Sequence, residues 1–427
     1  MKSGLIAPVA PVSRAARVVR EKGVRTSSRD GPVRIILIGS SFKTAKLAVR
    51  ERIGDRISTG SEKLKHLPGV TEYAELITCN RIELLFATKD PDLTERGFFS
   101  WFVDMPPDSF YVQRDVGAII HLFRVASGLE SMVLGEDQIL SQVRDAGISA
   151  RTARTSKGVL SSLFDVAGSV GKRAREPLET TEGSRSVSAF ALRFALEKLG
   201  KRPKKVLLIG SGETIKLAAG ELRDARVYMA TRRKVSQFPG ITRLERSQLV
   251  SVTKRCDLII SATKGSRYRL KKSSLSTRKR RVILDLAFPR NIDPGLNRGM
   301  TVLYDLDDLA TAAAALPRST GADRADEFVL SEAERFSRWL VASRLSSAIS
   351  DMHQWAEALR REKTGAALRR MPGLSEREKM VIEVMSKRLV SKLLASPTKF
   401  AKTSTPELPQ EERLDVIHQV FARGENS

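Results

Sequence analysis

The stretch KKVLLIGSGETIKLAAGEL, residues 204–222, constrains the fold more than any other part of the chain. An apolar run, Val206 to Ile209, leads into Gly210 and Gly212, and a segment with helical apolar periodicity follows at once. In a parallel α/β sheet, a strand that turns through glycines into a helix lets backbone N–H groups approach a pyrophosphate. The stretch therefore predicts a Rossmann-type nucleotide-binding unit.

The next predicted strand, RVYMA, indicates which nucleotide this unit binds. It ends in Thr231, Arg232 and Arg233. An acidic residue at this place would bind the ribose 2′-hydroxyl of NAD, whereas arginines suit the 2′-phosphate of NADP. We therefore predict NADPH, although Ile215 replaces the third glycine of the usual fingerprint. The strands CDLIISAT and RVILDLAF continue the sheet, and Cys256, within the first of them, is expected to be a small buried residue.

Length and charge limit the remaining possibilities. A chain of 427 residues divides into about two to four domains. The net charge of +25 favours a polyanionic partner such as nucleic acid, or an anionic membrane surface, with a solvated basic surface as the alternative. No apolar run reaches about 18 residues, so no membrane span is expected. Two distant cysteines make neither a disulfide framework nor a thiolate metal site, and indicate reduced thiols in a cytosolic protein.

The N-terminal third begins with a basic segment, residues 1–32, whose composition fits either a transit peptide or a disordered tail. From residue 33 the pattern reads strand, helix, strand, strand, helix, which is most of the ferredoxin-like order. Cys79 lies in AELITCNRIELLFAT, where two of these strands meet. A side chain at such a strand end is held firmly and can still face a cleft.

A helical segment from Asp115 to about Leu199 follows. His121 lies there on an otherwise apolar stretch, where a lone histidine is more often a core residue than a catalytic one. The polar residues of SMVLGEDQILSQV either line a site or face water. Beyond residue 310 the apolar residues Val329, Ala333, Phe336, Leu340 and Leu345 keep a helical period, and Ser375 with Glu378 predicts a capping box for a later helix.

Several motifs together resemble one family. TCNRIE, HLFRVASGLESMVLGEDQILSQV, VGKRAR, SVSAFAL, LLIGSGETI, LDLAFPRNIDP, YDLDDL and KLLASPT occur in the order and spacing seen in glutamyl-tRNA reductases. The resemblance covers nearly the whole chain beyond the N-terminal tail. It implies an NADPH-dependent enzyme of tetrapyrrole synthesis that reduces glutamyl-tRNA to glutamate 1-semialdehyde, the first step from glutamate toward 5-aminolevulinate and haem.

The family also implies an architecture. We expect an α/β multidomain chain with a ferredoxin-like α+β catalytic domain carrying a helical part at 33–185 and a Rossmann-type NADP-binding domain at 186–310. A spinal helix region at 311–345 and an all-α dimerisation domain at 346–427 should follow. The expected partners are glutamyl-tRNA, a second copy of the chain bound through the C-terminal helices, and the aminotransferase that uses the aldehyde. The expected location is the cytoplasm, with a plastid less favoured, and no metal or membrane is expected.

The resemblance assigns roles to individual residues. Cys79 is the nucleophile that takes the glutamyl group as a thioester, and Arg81 binds the substrate carboxylate and favours the thiolate. His121 protonates or orients reacting oxygens. Further substrate contacts are expected at Thr78, Asn80, Ser131, Glu136, Asp137, Gln138 and Gln142. The nucleotide loop comprises Gly210, Ser211, Gly212, Glu213, Thr214 and Ile215, with Thr231, Arg232 and Arg233 completing the coenzyme site.

The sequence departs from the family pattern in places, and two other functions stay open. Phe42 stands where the family usually has histidine, Lys264 where a smaller residue is usual, and KLLASPT lacks the usual histidine. A dehydrogenase of the shikimate type could use the same nucleotide domain but would not need Cys79. A basic RNA-binding scaffold with a degenerate nucleotide fold would explain the charge.

The predicted coenzyme preference can be measured directly. Replacing both Arg232 and Arg233 with neutral residues should weaken binding of NADPH far more than binding of NADH, because charge-assisted contacts to the 2′-phosphate are lost and the rest of the pocket is untouched. Binding titrations with both coenzymes provide the test. An equal loss for both would assign these arginines to the fold or to the nucleic acid instead.

Overall fold

The computed structural model describes residues 33–178, 186–222, 224–231, 240–263, 270–275, 279–315, 321–402 and residue 416. The N-terminal tail, Arg232, Arg233 and Lys264 lie outside the described residues, so the predictions made for them are not addressed.

The first unit is built on a 4-stranded antiparallel sheet with the strand order β2-β3-β1-β4. Its elements in chain order are β1 (Arg34–Ser41), α1 (Leu47–Lys65), β2 (Val70–Ile77), β3 (Arg81–Thr88), α2 (Pro91–Phe99) and β4 (Tyr111–Arg114). Alternate residues of each strand face opposite sides of a sheet. Ile36, Ile38 and Leu84 accordingly pack on the side of α1 and α2. This is the predicted ferredoxin-like arrangement, and that part of the fold class is confirmed.

Helices cover the opposite face of the same sheet. These are α3 (Val116–Ser127), α4 (Asp137–Thr152) and α5 (Val159–Arg173). Ile35, Leu37 and Leu85 of the sheet share one core with them. Both faces of β3 are therefore buried, and any polar side chain on that strand must find its partners inside the protein.

The second unit is a 6-stranded parallel sheet with the order β10-β9-β8-β5-β6-β7. It comprises α6 (Val187–Leu199), β5 (Lys205–Gly210), α7 (Glu213–Glu221), β6 (Arg226–Ala230), β7 (Thr242–Arg243), α8 (Leu249–Thr253), β8 (Leu258–Ala262), β9 (Arg281–Asp285), β10 (Thr301–Tyr304) and α9 (Leu306–Ala313). One apolar cluster lies on each face of the sheet. The predicted Rossmann-type unit is thus confirmed.

Cys256 differs in one detail from the prediction. It lies just before β8 rather than inside it, and its Sγ is 3.3 Å from the carbonyl oxygen of Val252. The side chain is 0% exposed, so it is the small buried residue that was expected.

Two long helices end the described chain. Helix α10 (Gly321–Arg369) runs for 49 residues, and α11 (Glu376–Lys402) folds back on it. Val329, Ala333, Phe336 and Leu340 of α10 join the core of the first unit. Ser375 and Glu378 form the predicted capping box, with Glu378 Oε2 accepting from Ser375 N at 2.8 Å. The division predicted after Leu345 falls inside α10, which has no break there.

Ion pairs join the two sheet units. The loop after β9 carries Arg290, whose Nε and Nη2 donate to Glu51 of α1 at 3.0 and 2.6 Å. Asp285, buried at the end of β9, accepts from the backbone N–H groups of Asn291 and Ile292 at 2.8 Å each and so shapes that loop. Burial raises the pKa of Asp285 to about 6.

Across the described residues, no helix combines the length and the apolar character needed to cross a bilayer.

Candidate active site

Cys79 lies in the tight turn between β2 and β3. The N–H of Thr78 donates to the carbonyl of Arg81 at 2.8 Å, and Thr78 Oγ1 accepts from the N–H groups of Asn80 and Arg81, both at 3.2 Å. A threonine hydroxyl that takes two backbone hydrogen bonds fixes the turn locally. The thiol is therefore held, half-buried, at the apex of a rigid hairpin.

Glu83, on β3, is the centre of a buried polar cluster and is fully inaccessible to solvent. Its Oε1 accepts from Arg81 Nη1 at 3.0 Å and from the Tyr111 hydroxyl at 2.5 Å, and it lies 2.8 Å from His121 Nε2. Gly39 pairs with both Glu83 and Tyr111 in the sheet, and a Cβ there would lie 2.7 Å from the Tyr111 ring. The glycine thus leaves the space in which that ring reaches the carboxylate.

The charge of Glu83 is stabilised by its neighbours. Burial alone would raise the pKa of Glu83, but His121 and Arg81 outweigh burial and hold that pKa at about 2. Glu83 is therefore ionised at neutral pH. Its second oxygen, Oε2, and the Nε of Arg81 are both buried without a hydrogen-bond partner in the protein. Unpaired buried polar atoms are costly, and at a candidate site they mark where a ligand can bind.

The loop from Gly128 to Glu136 closes over this cluster. Gly135 N donates to Gly128 O at 3.1 Å, and both glycines have positive φ, +77° and +73°. A Cβ on Gly128 would lie 2.8 Å from the Cα of Gly135, so only glycine permits this approach. The carbonyl of Glu130 accepts from Arg81 Nη2 at 2.6 Å, and its carboxylate pairs with Lys43 at 2.5 Å.

The end of this loop supplies a second buried carboxylate. Glu136 is 5% exposed, and burial raises its pKa, while Arg81 and a hydrogen bond from Ser131 oppose that shift. Asp137 and Gln138 are exposed at the start of α4, and Gln142 is half-buried one turn further on. The structure thus brings Cys79, Arg81, Ser131, His121 and Glu136 into one electrostatic cluster, whereas Asp137 and Gln138 lie at its rim.

The acidity of Cys79 differs from the expectation. Burial and, after it, the charge of Glu136 raise the pKa of the thiol to about 12, although Arg50 and Arg81 act in the opposite direction. Arg81 was expected to favour the thiolate. Its guanidinium donates to Glu83 and to the backbone carbonyl of Glu130, and its charge lowers the pKa of Cys79 as expected, but burial and Glu136 outweigh that effect. The thiol is therefore protonated at neutral pH.

Sequence reasoning missed Glu83, Tyr111, Arg50 and Glu130. Glu83 had a signal, since it is the one acidic residue in the apolar strand IELLFAT. A lone carboxylate on a strand buried on both faces requires internal partners. Arg50 and Tyr111 had none, because their partners come from distant parts of the chain. Phe42, noted as a departure from the family, packs at the edge of the apolar cluster of the nucleotide unit.

The glycine turn of the second unit has the predicted form. Gly210 has a φ of +128°, and a Cβ on it would lie 2.4 Å from the carbonyl oxygen of Ala262, so the β5 end packs closely on β8. Gly212 is the N-cap of α7, and a Cβ added to it would have no other atom within 4 Å. The N-terminus of α7 is therefore open to a ligand.

The remaining residues of the nucleotide loop surround that opening. Thr214 Oγ1 lies 2.7 Å from Ser188 Oγ, and Ile215 is 0% exposed in the core where the fingerprint has its third glycine. Ser211 and Thr231 are half-buried, and Glu213 is exposed. Among the described residues, no group of three or more His, Cys, Asp or Glu side chains is placed to hold a metal ion.

A cysteine beside buried charges in one unit and an open glycine turn in the other define a modular nucleotide-dependent oxidoreductase. Three family models match the chain in succession. Residues 38–178 match the glutamyl-tRNAGlu reductase N-terminal domain, residues 193–312 match shikimate / quinate 5-dehydrogenase, and residues 324–423 match the glutamyl-tRNAGlu reductase dimerisation domain.

Individual relatives agree over most of the chain. The glutamyl-tRNA reductase of Syntrophobacter fumaroxidans is 31% identical over 423 residues, covering 91% of this chain and 90% of that protein. That of Desulfatibacillum aliphaticivorans is 33% identical over 397 residues, covering 86% and 91%. A solved glutamyl-tRNA reductase from Methanopyrus kandleri is 24% identical, with a TM-score of 0.48, and the match covers 93% of this chain and 100% of that one.

The chain therefore belongs to the glutamyl-tRNA reductase family, as its motifs predicted, and is an oxidoreductase. The shikimate-type match is confined to the nucleotide-binding unit, between two reductase-specific regions. A shikimate-type dehydrogenase is accordingly not favoured.

The cluster around Glu83 can be tested by one substitution. Glu83→Gln should lower the free energy of unfolding by about 3 kcal/mol or more at neutral pH, because it leaves Arg81 as an uncompensated buried charge. Glu83 stabilises the fold above the ordinary carboxyl pKa of 4.5, and this contribution is lost as pH falls toward about 2. The difference from wild type should therefore narrow on acidification, as followed by urea unfolding at several pH values.

Glu75→Gln is the matched control. Glu75 lies on the adjacent strand β2, and its carboxylate accepts a hydrogen bond from the Tyr73 hydroxyl at 2.6 Å. Among the described residues, Glu75 forms no ion pair with a buried arginine. Its replacement should therefore lower the free energy of unfolding by about 1 kcal/mol or less. Equal losses for the two variants would show that Glu83 has no special role in the cluster.

Proposed function

We propose that this protein reduces glutamyl-tRNA to glutamate 1-semialdehyde with NADPH and releases the tRNA, through a thioester on Cys79. The observation that supports this most strongly is the thiol at the apex of a fixed hairpin, adjacent to a buried arginine that retains an unpaired N–H. The family to which the chain belongs supplies the substrate class.

The proposed chemistry begins with attack of Cys79 Sγ on the carbonyl carbon of the glutamyl ester. A C–S bond forms, the C–O bond to the tRNA ribose breaks, and the ribose hydroxyl leaves with the proton lost by the thiol. A thioester accepts hydride more readily than an ester, and NADPH, when bound, would supply that hydride. Breaking of the C–S bond in the reduced adduct would then release the aldehyde and a thiolate, which takes up a proton to restore the thiol.

The protonation state of the thiol limits the first step. With a pKa of about 12, Cys79 must lose its proton as the substrate binds or as it attacks. Glu136, which is buried and raises the pKa of that thiol, is the nearby carboxylate suited to accept the proton. His121 Nε2 lies 2.8 Å from Glu83 Oε1, and this contact fixes the imidazole ring. We propose that this ring protonates or orients the reacting oxygens.

Arg81 is proposed to bind the side-chain carboxylate of the glutamyl group. Two of its nitrogens are engaged by Glu83 and Glu130, and Nε is buried without a partner. A guanidinium offers five N–H donors, so capacity for an incoming carboxylate remains. Asn80 Oδ1, also buried and unpaired, can accept from the substrate ammonium group. Further contacts are proposed for Thr78, Ser131, Asp137, Gln138 and Gln142.

The second unit fits a dinucleotide. The open space at Gly212 and the first-turn amides of α7 suit a pyrophosphate, and the close packing at Gly210 leaves the turn rigid. Ser211, Glu213, Thr214 and Thr231 would surround it. Selection of NADPH over NADH is proposed to depend on Arg232 and Arg233.

A homodimer is proposed through the C-terminal helices. Val381, Met385, Leu389 and Leu393 recur at four-residue spacing on α11, and each is 58–66% exposed. An apolar stripe of this kind is typical of a subunit contact.

The basic dimer would bind the tRNA, a folded polyanion, through its phosphates and shape, with affinity that falls as salt rises. Its location would be cytoplasmic. The aminotransferase that uses the aldehyde is a further proposed partner.

The nucleophile has a direct test. Cys79→Ser should abolish NADPH oxidation with glutamyl-tRNA and leave binding of both substrates nearly intact, because a serine hydroxyl gives an ester with no advantage over the substrate. In a single turnover with charged tRNA alone, the wild-type protein should carry a thiol-linked glutamyl group visible by mass spectrometry.

Cys256→Ser is the control for that experiment. Its sulfur is buried in the nucleotide-binding unit and donates to the backbone carbonyl of Val252, so activity should persist. Full activity of the Cys79→Ser protein would rule out a thioester on Cys79. A glutamyl group found on Cys256 in that protein would also rule it out.

The subunit contact can be tested by charge. Leu389→Glu places a carboxylate in the apolar stripe and should convert the dimer to monomers in sedimentation experiments, since an unpaired charge is costly to bury. Ser391→Glu, at an exposed position on another side of α11, should leave the dimer intact. A Leu389→Glu protein that stays dimeric would place the interface elsewhere.

A further inference from the structure

Arg50, on α1, holds the backbone of the turn between β2 and β3 that carries Cys79. Its side chain is 0% exposed, its Nη1 donates to the carbonyl oxygen of Cys79 at 2.6 Å, and its Nε donates to Ala45 O at 3.3 Å. A charge-assisted hydrogen bond of this length is among the stronger contacts available to a main-chain carbonyl. Arg50 therefore fixes where the turn places the thiol.

The position of Arg50 is set in turn by the other unit. Its Nη2 donates to Oδ1 of Asp307 at 2.9 Å, and Asp307 lies on α9, which packs in the core of the nucleotide-binding unit. The other oxygen, Oδ2, accepts from the N–H of Leu47 at 2.7 Å. Leu47 is the first residue of α1, whose own N-cap residue, Lys46, makes no side-chain capping bond. Asp307 thus supplies from the second unit the cap that α1 lacks.

One carboxylate consequently joins the start of α1, the Arg50 guanidinium and, through it, the Cys79 turn. The neighbouring ion pair of Glu51 with Arg290 also joins the two units, and among the described residues the Glu51 carboxylate accepts hydrogen bonds only from Arg290. Replacing Glu51 therefore disturbs the contact between the units without removing a hydrogen bond of Arg50 or of the Cys79 turn.

We propose that Arg50 is a positioning residue for Cys79, and that Asp307 acts through Arg50 to couple the placement of the thiol to the docked nucleotide-binding unit. This inference rests on the proposed role of Cys79 as the nucleophile. In the proposed reaction, the thioester then forms only where the unit that binds the coenzyme is in place.

The reactivity of the thiol provides the readout. The groups that act on Cys79 are Arg50 of α1, Arg81 of β3 and Glu136 at the start of α4. Full-length Cys256→Ser protein should be alkylated with iodoacetamide over a range of pH, without tRNA or coenzyme, and modification of Cys79 followed by mass spectrometry. The variants are Arg50→Gln, Asp307→Asn, their combination and Glu51→Gln.

The sign of the shift separates positioning from simple electrostatics. Arg50→Gln should slow alkylation at a given pH by roughly tenfold, the size expected for one lost charge-assisted hydrogen bond. Removing the negative charge of Asp307 would by itself make the thiol more acidic and speed alkylation. If Asp307 acts through Arg50, Asp307→Asn should instead slow it, and the double variant should react like Arg50→Gln alone.

Glu51→Gln should keep the wild-type profile. Faster or unchanged alkylation in Asp307→Asn, additive effects in the double variant, or an equal shift in Glu51→Gln would each overturn the proposal. Because Asp307→Asn changes a partly exposed side chain, it tests the coupling even if Arg50→Gln does not fold. The assay uses no substrate, so failure of the proposed reaction, shown by an active Cys79→Ser protein, would be a separate result.

Discussion

The buried carboxylate of Glu83 is the interaction on which the catalytic unit depends. A strand covered on both faces cannot leave a charge unpaired, and Glu83 is compensated by Arg81, Tyr111 and His121 together. These three come from β3, β4 and α3, so one carboxylate joins the sheet to the helices that cover it. The same contacts hold both Arg81, two residues from Cys79, and His121 on one carboxylate. Stability and the candidate chemistry therefore rest on one set of hydrogen bonds.

The second constraint is the contact between the two units. A thiol on one sheet and a nucleotide site on another can cooperate only if their separation is fixed. The bidentate pair of Arg290 with Glu51 and the contacts of Asp307 at the start of α1 provide that. Both connections use the loop after β9 or the first turn of α9, the regions that carry the family motifs LDLAFPRNIDP and YDLDDL. Those motifs thus describe an interface as well as a nucleotide-binding unit.

Prediction from the sequence succeeded where a local pattern was sufficient. The ferredoxin-like order, the Rossmann-type turn, the buried Cys256 and the capping box of α11 all follow from periodicity, glycine placement or cap chemistry within a few residues. The direction in which Arg81 acts on the thiol was predicted from its position two residues away, but the opposing effects were not. Burial and Glu136 raise the pKa of Cys79 more than Arg81 lowers it, and neither follows from nearness in sequence.

The sequence by itself determined the family, the order of the units and the residue types of the candidate site, because motifs, apolar periods and turn residues are local properties of the chain. Only the tertiary structure decided which charges meet. Tyr111 and His121 lie 28 and 38 residues from Glu83 along the chain, and Asp307 lies 257 residues from Arg50. No local pattern could pair residues this far apart. The acidity of Cys79 is set by burial and by the charges of Glu136, Arg50 and Arg81, which surround the thiol only once the sheets and helices have packed.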